Sequence, residues 1–393
     1  MGIDPETTSP PPPARFVVSG ALRADHGHRV DLLAPWFHRA DPMADACVRA
    51  LGTLRPRQGQ ALLDRGLSQG VDAIPHAPMA LRAFVASLDA MPLWVDRAQL
   101  TLGGRAYLRS GVLGLLVLAC GSLPTIYACP AGNKPLTLSR RLVAMAPRRL
   151  LETAQFVHEV SGADGLLRGA PGHRITARVR LIHAQMRRLV LRSDRWDAAA
   201  WGAPINQVDL AYTNLQFSVN PLRWLEMLGL RMHPEERDAL VHLWRYAGHL
   251  MGVDPTLLVS TEAEGRRLGD LIARAQEPPD DDARQLTHAL MNAAPTLLGP
   301  HARHGGWTVE MSHGLARHLL GDPLADALDL RGNGWDRAWR ALRRAIPGVH
   351  AVQRRGGPAV FSFVYEQILR GSLSAAPHFP LPESLTAHGA PTA

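Results

Sequence analysis

With 393 residues, 46% of them hydrophobic, the chain can bury one large core or two ordinary ones, and neither global disorder nor collagen-like repetition fits it. The formal charge of +8 comes from scattered arginines, with Lys134 the single lysine and no aromatic residues interleaved in a basic run, which argues against nucleic acid as a partner. Cys47, Cys120 and Cys129, odd in number and loosely spaced, fit reduced thiols of a cytoplasmic protein rather than a disulfide framework.

Residues 1–20 read as a flexible Pro-rich tail. Asp4, Glu6 and the run Pro10–Pro13 lack the apolar segment of a signal peptide. Residues 21–375 then read as one helical domain, because no composition shift marks a linker, and residues 376–393 as a second Pro-rich tail. Apolar residues at three- and four-residue spacing predict helices over Ala80–Leu88, Leu108–Ala119, Pro147–Val160, Ile175–Leu191, Pro204–Ser218, Pro234–Met251, Glu262–Ala275 and Trp335–Ala345. Pro147, Pro204 and Pro234 sit where a first helical turn tolerates proline. The uncharged stretch Gly111–Cys129 is nearly long enough for a bilayer. Gly121, Ser122 and Pro124 interrupt it, so a buried helix, a turn and a short second segment are expected instead of an integral span. Ser161–His173, Glu277–Arg284 and Gly299–Trp307 read as loops. Ala359–Val364 is the best strand, with Thr137–Leu142 as its conceivable partner.

On the helix Ile175–Leu191, the residues Val179, Ile182, His183, Met186 and Val190 share one apolar stripe, and Arg180 and Arg187 flank His183. A neutral imidazole on an apolar face bordered by guanidinium groups suits a haem: the ring binds iron and the cations meet propionates. The bland reading is a hydrogen-bonded core histidine. On the preceding helix, Arg149, Glu152, Thr153 and Phe156 fall on one face, as a small hydrogen-bonding site or as an Arg149–Glu152 surface pair. His242 and His249 are the rival location for an iron ligand. His26, His28, His301, His304, His313 and His318 lack the spacing of a specific zinc or iron site. No Walker loop, GxGxxG after a strand, GxSxG, HExxH or CxxCH occurs, so a haem would be held non-covalently.

Several stretches in order resemble the latex-clearing-protein and MpaB-type oxygenase family: MPLWVD at Met91–Asp96, GSLPTIY at Gly121–Tyr127, RRLLETAQFVHEV at Arg148–Val160, ITARVRLIHAQMRR at Ile175–Arg188, PINQVDLAYTNLQFS at Pro204–Ser218, HLWRYAGHLMGV at His242–Val253 and, more weakly, LADALDL at Leu324–Leu330. The resemblance implies an all-α fold with a globin-like core, extra helices and one b-type haem. His183 matches the proximal histidine, and Arg149 and Thr153 match residues of the distal-side helix. Rubber-cleaving members carry a lysine where this chain has Glu152, and a distal acid that aligns near Asn133. Those departures argue against rubber as the substrate and leave Glu152 as the acid–base group. Rubber-cleaving members are secreted, so a smaller apolar unsaturated substrate inside the cell is expected here.

The function expected is therefore a haem b oxygenase using dioxygen, with oxidative cleavage of a carbon–carbon double bond implied first. Its catalytic residues would be Glu152, Arg149 and Thr153, with His183 as metal ligand and Arg180 and Arg187 beside the cofactor. Monooxygenation, peroxidase-like oxidation, non-catalytic haem binding and a helical scaffold without haem are the alternatives. An electron donor is allowed for. The sequence fixes neither the substrate nor the oligomeric state.

Overall fold

A computed structural model describes residues 10–138, 142–295 and 306–342. Among them the chain forms helices and no strand, apart from one isolated antiparallel bridge between Phe16 and Gln276. The all-α class is as expected. Thr137 closes the helix Pro130–Thr137 and Leu142 opens the next one, so neither end of that segment is strand. Ala359–Val364 lies outside the described residues, as do the 376–393 tail, His301 and His304.

Helix starts follow local chemistry. Asp41, Asp96, Asn206, Thr261 and Asp280 each accept a backbone N–H of the first turn, and Pro42, Pro171 and Pro234 take early positions where their missing N–H costs nothing. Two proline signals point elsewhere than expected. Pro147 lies inside the helix Leu142–Ser161, and Pro204 precedes a helix that runs only over Gln207–Leu215. The Glu277–Arg284 segment is only half loop, because Asp280 caps the helix Asp281–Ala293.

The uncharged stretch also differs from expectation. Gly111, at φ 55°, separates Arg97–Leu108 from Val112–Val117, and the chain then passes without a turn through a π-helical segment, Leu118–Ser122, into Leu123–Tyr127. The wider π turn keeps Gly121 and Ser122 helical where a turn was predicted. No single helix among the described residues is long and apolar enough to cross a membrane. The pair Arg97–Leu108 and Val112–Tyr127, bent by 86°, reaches that length and composition together.

The N-terminal tail is shorter than expected. Arg15 is 1% exposed, with its guanidinium on both carboxylate oxygens of Asp209 and on Gln276. A charge this deep is tolerated only when paired and hydrogen-bonded, so packing begins at Pro13, not after residue 20.

One core joins most helices, running through Phe84, Leu115, Leu151, Leu181, Trp244, Leu290 and Leu315. Each such aliphatic side chain contributes about 1.5–3 kcal/mol by leaving water. Glycine sets two of the closest approaches. A Cβ on Gly103 would lie 2.3 Å from the Ala239 carbonyl oxygen, and one on Gly104 would lie 2.3 Å from that of Ser161. The helix Arg97–Leu108 thus touches both Pro234–Leu250 and Leu142–Ser161 by backbone. Leu142–Ser161 packs in turn on Pro171–Leu191, which leans on Pro42–Leu51. These last three helices carry the residues considered next.

Candidate functional site

The helix Pro171–Leu191 buries Ala177, Leu181, Ala184 and Val190 in the core, while Val179, Ile182 and His183 stay half-buried along one side. His183 Nδ1 is enclosed and has no hydrogen-bond partner among the described residues. Burial pushes the ring's pKa down to about 4, helped by the Arg187 guanidinium and opposed by Asp41. At neutral pH the imidazole therefore carries no charge, and its lone pair is free for a metal.

Two arginines flank this ring differently. Arg180 holds Asp41 with Nε at 2.6 Å and Nη2 at 3.0 Å, and its Nη1 donates to the Leu250 carbonyl at 3.2 Å. Its guanidinium also lies 5.4 Å from the Phe84 ring centre. Arg187, 2% exposed, donates from Nε to Asp45 at 2.8 Å and from Nη1 to the Ile205 carbonyl at 3.3 Å. Its Nη2 is buried without a partner among the described residues. So Arg187, not Arg180, keeps an unused nitrogen one helical turn from His183. Burial holds the Asp45 carboxyl above its ordinary range even with Arg187 beside it.

Ile205, whose carbonyl Arg187 holds, has φ 50°. A β-branched residue in the left-handed region is a true outlier that its surroundings must impose. Sequence reasoning missed this, and it also missed Asp41 and Asp45. Asp41-Pro42 carries the signature of a helix start, which was available locally. Its pairing with an arginine 139 residues away was not.

On the helix Leu142–Ser161, Arg149, Glu152 and Thr153 are all half-buried, while Leu150, Leu151 and Ala154 face the core. The charge of Arg149 acts on His183 and on Tyr127. Glu152 is paired by Arg148, Nε to Oε1 at 2.8 Å, where an Arg149–Glu152 pair was one of the two readings. Spacing of four residues allows this as readily as three. Thr153 donates its hydroxyl proton to the Arg149 carbonyl at 2.8 Å.

The rival histidines lie on the helix Pro234–Leu250. His242 Nε2 accepts the Asp96 backbone N–H at 3.0 Å. Trp94 meets His242, Tyr246 and His249 edge-on and takes the Arg245 guanidinium over its face at 4.1 Å. His249 borders an open cleft of about 600 Å³ shared with Trp36, Met43, Asp41 and Arg180. Among the described residues no three His, Cys, Asp or Glu side chains gather as a metal site. A haem iron can be held by one proximal histidine, which needs no such cluster.

Residues 93–351 match the model of the ER-bound oxygenase mpaB/B'/Rubber oxygenase catalytic domain. The chain belongs to this family. His183, Arg149, Glu152, Thr153, Arg180 and Arg187 all fall inside the matched segment, while Asp41 and Asp45 come from outside it. The rubber oxygenase of Streptomyces sp. (strain K30) is 25% identical over 321 residues, covering 78% of this chain and 74% of the relative. The latex clearing protein LCP in its closed state shares the fold, with a TM-score of 0.64 and 21% identity over 86% of this chain and 91% of that one. Membership in the mpaB/rubber-oxygenase family makes the protein an oxygenase. Which cofactor and which bond are involved is a separate matter.

Proposed function

We propose that this protein holds one b-type haem on His183 and uses dioxygen to cleave a carbon–carbon double bond in a small apolar substrate. The observation that carries the reading is the His183 ring: neutral, enclosed and without a hydrogen-bond partner at Nδ1. A buried polar atom left unmet asks for a reason, and a ligand is one. Arg187 Nη2, unmet one turn away, fits an anionic group of the same cofactor. The globin-like core implied by the resemblance belongs to the same proposal.

When bound, haem supplies the iron at which dioxygen is activated. The protein's part is positioning. His183 would present its lone pair, and Arg187 would reach a propionate while Asp45 and the Ile205 carbonyl stop its guanidinium from swinging. Arg180, fixed to Asp41 and Leu250, would brace the turn before His183 from behind. Arg149 would set a positive potential on the opposing helix. Thr153, its proton given to the backbone, would offer only oxygen lone pairs. Glu152 would hold or pass a proton at its carboxylate. Val179 and Ile182 would keep the neighbourhood of the ring apolar and so favour an apolar substrate. The three buried, unpaired thiols support a reducing compartment, hence the cytoplasm.

The test is oxidation of a panel of apolar alkenes under isotopically labelled dioxygen. Cleavage yields two carbonyl products per double bond, each carrying label. A single labelled hydroxyl would replace this reading with monooxygenation, and a haem-loaded protein that oxidises none of the panel would replace it with haem binding alone.

A further inference from the structure

The open cleft of about 600 Å³ that His249 borders is large enough for a small organic molecule. One side of it is the segment 36–45 and another the segment 249–255. His183, Arg149, Glu152, Thr153 and Arg187 do not border it, so it stands apart from the site proposed above. Its walls are tied together from within. Gln207, 5% exposed, donates from Nε2 to the Ala40 carbonyl at 2.9 Å and to the Gly252 carbonyl at 3.0 Å, and its Oε1 accepts the Asp254 N–H at 2.8 Å. One amide thus spans both sides, and a cleft fixed in this way costs little to order when a ligand enters.

Most of the charge along the cleft is already used. Asp41 gives both oxygens to Arg180, and Asp45 accepts from Arg187. Arg180 spends its third donor on the Leu250 carbonyl. Asp254 accepts the Thr256 N–H at 2.9 Å with one oxygen. Two donors are left over. The Arg39 guanidinium lies over the Trp36 ring, 4.5 Å from its centre, and makes no hydrogen bond or ion pair with any described residue. Trp36 is itself anchored, packed against two of the smaller apolar clusters. Contact through one face holds a guanidinium in place and leaves its N–H edge open, the geometry that takes a carboxylate by two points. The His249 ring, set by Tyr246 and Trp94, also makes no hydrogen bond to a described residue. Burial and the charge of Arg180 lower its pKa, so at neutral pH it offers one N–H. Apolar surface completes the cleft: Met43, 39% exposed, with Pro42, Val253 and Pro255.

We propose that this cleft binds a small monocarboxylic acid with an apolar body, its carboxylate on the Arg39 guanidinium and its body against Trp36 and Met43. The proposal does not depend on the haem reading. Asp254 is the one acid of the cleft without a cationic partner among the described residues, and its charge opposes such a ligand. That opposition gives the proposal a sign to test.

The experiment is calorimetric titration of the purified protein with phenylbutyrate, phenylbutanol and phenylbutylamine, which differ only in the head group. Phenylbutyrate should bind about tenfold more tightly than the alcohol, as a charge-assisted hydrogen bond warrants. Arg39→Gln should erase that preference while its urea midpoint stays close to that of wild type, because Arg39 is exposed and unpaired by charge. Asp254→Asn keeps an oxygen for the Thr256 N–H and removes the opposing charge. It should tighten phenylbutyrate about two- to threefold and leave phenylbutanol unchanged. Damage to the cleft would instead weaken both ligands. No binding of phenylbutyrate by wild type, equal binding of the acid and the alcohol, or tighter binding of the amine overturns the proposal. So does an Arg39→Gln protein that keeps the preference, or an Asp254→Asn protein that binds the acid no more tightly.

Discussion

Asp41 and Arg180 form a buried two-point ion pair, at 2.6 and 3.0 Å, that ties the start of the helix Pro42–Leu51 to the turn before His183. Asp41 also accepts the Ala44 N–H at 3.1 Å, so one carboxylate both caps a helix and neutralises a guanidinium. Removing it leaves Arg180 buried and unpaired. Asp41→Ala should destabilise the protein by about 3–5 kcal/mol in urea titration. Asp41→Asn keeps the cap and should recover about 1 kcal/mol of that. Equal losses for the two variants would show that the cap is unimportant.

Glu152 is half-buried and held by Arg148, a pair exposed enough to contribute at most about 1 kcal/mol to stability. If its carboxylate handles a proton, Glu152→Gln should lower kcat about 10²-fold with little change in KM or urea midpoint. Arg148→Ala should leave stability nearly unchanged. A full-rate Glu152→Gln variant would remove Glu152 from the chemistry.

How much of this was legible in the sequence depends on range. The His183 stripe, its flanking arginines and the Arg149–Thr153 face follow from helical spacing, and the structure places them on adjoining helices as read. The partners of those arginines come from 139 and 142 residues upstream, and no periodicity reports such distances. Local misreadings have local causes. Pro147 looked like a start because proline usually is one, yet the helix enters five residues earlier. Gly121 and Pro124 looked like a turn because a π-helical segment has no simple sequence signature. Ile205 in the left-handed region is invisible to propensity, since its surroundings impose it.

Stability should fall in mild acid. His173 is 1% exposed, with Nε2 3.4 Å from the Leu88 carbonyl, and burial lowers its pKa below the ordinary 6.5. His313 is lowered too, by burial and by His288. An imidazole that binds protons more weakly folded than unfolded contributes fully above pH 6.5 and less as pH drops below it. Urea midpoints should therefore decline from about pH 7 to about pH 5. The His173→Gln variant should show a shallower decline, and an identical slope would exclude His173 as a contributor.

Gly103 tests the packing that carries the site. A methyl group there would meet the Ala239 carbonyl at 2.3 Å, and backbone cannot rotate away as a side chain can. Gly103→Ala should lower stability by about 1–3 kcal/mol despite better helix propensity. Increased stability would show that the helices Arg97–Leu108 and Pro234–Leu250 are farther apart than described.

The most direct test of the central claim is the absorption spectrum of purified protein loaded with haemin, beside His183→Ala, His242→Ala and His249→Ala. A single strong Soret band in wild type, kept by the His242 and His249 variants and lost or displaced in His183→Ala, is the predicted result. A wild-type protein that takes up no haemin, or a His183→Ala variant whose spectrum matches wild type, would contradict it.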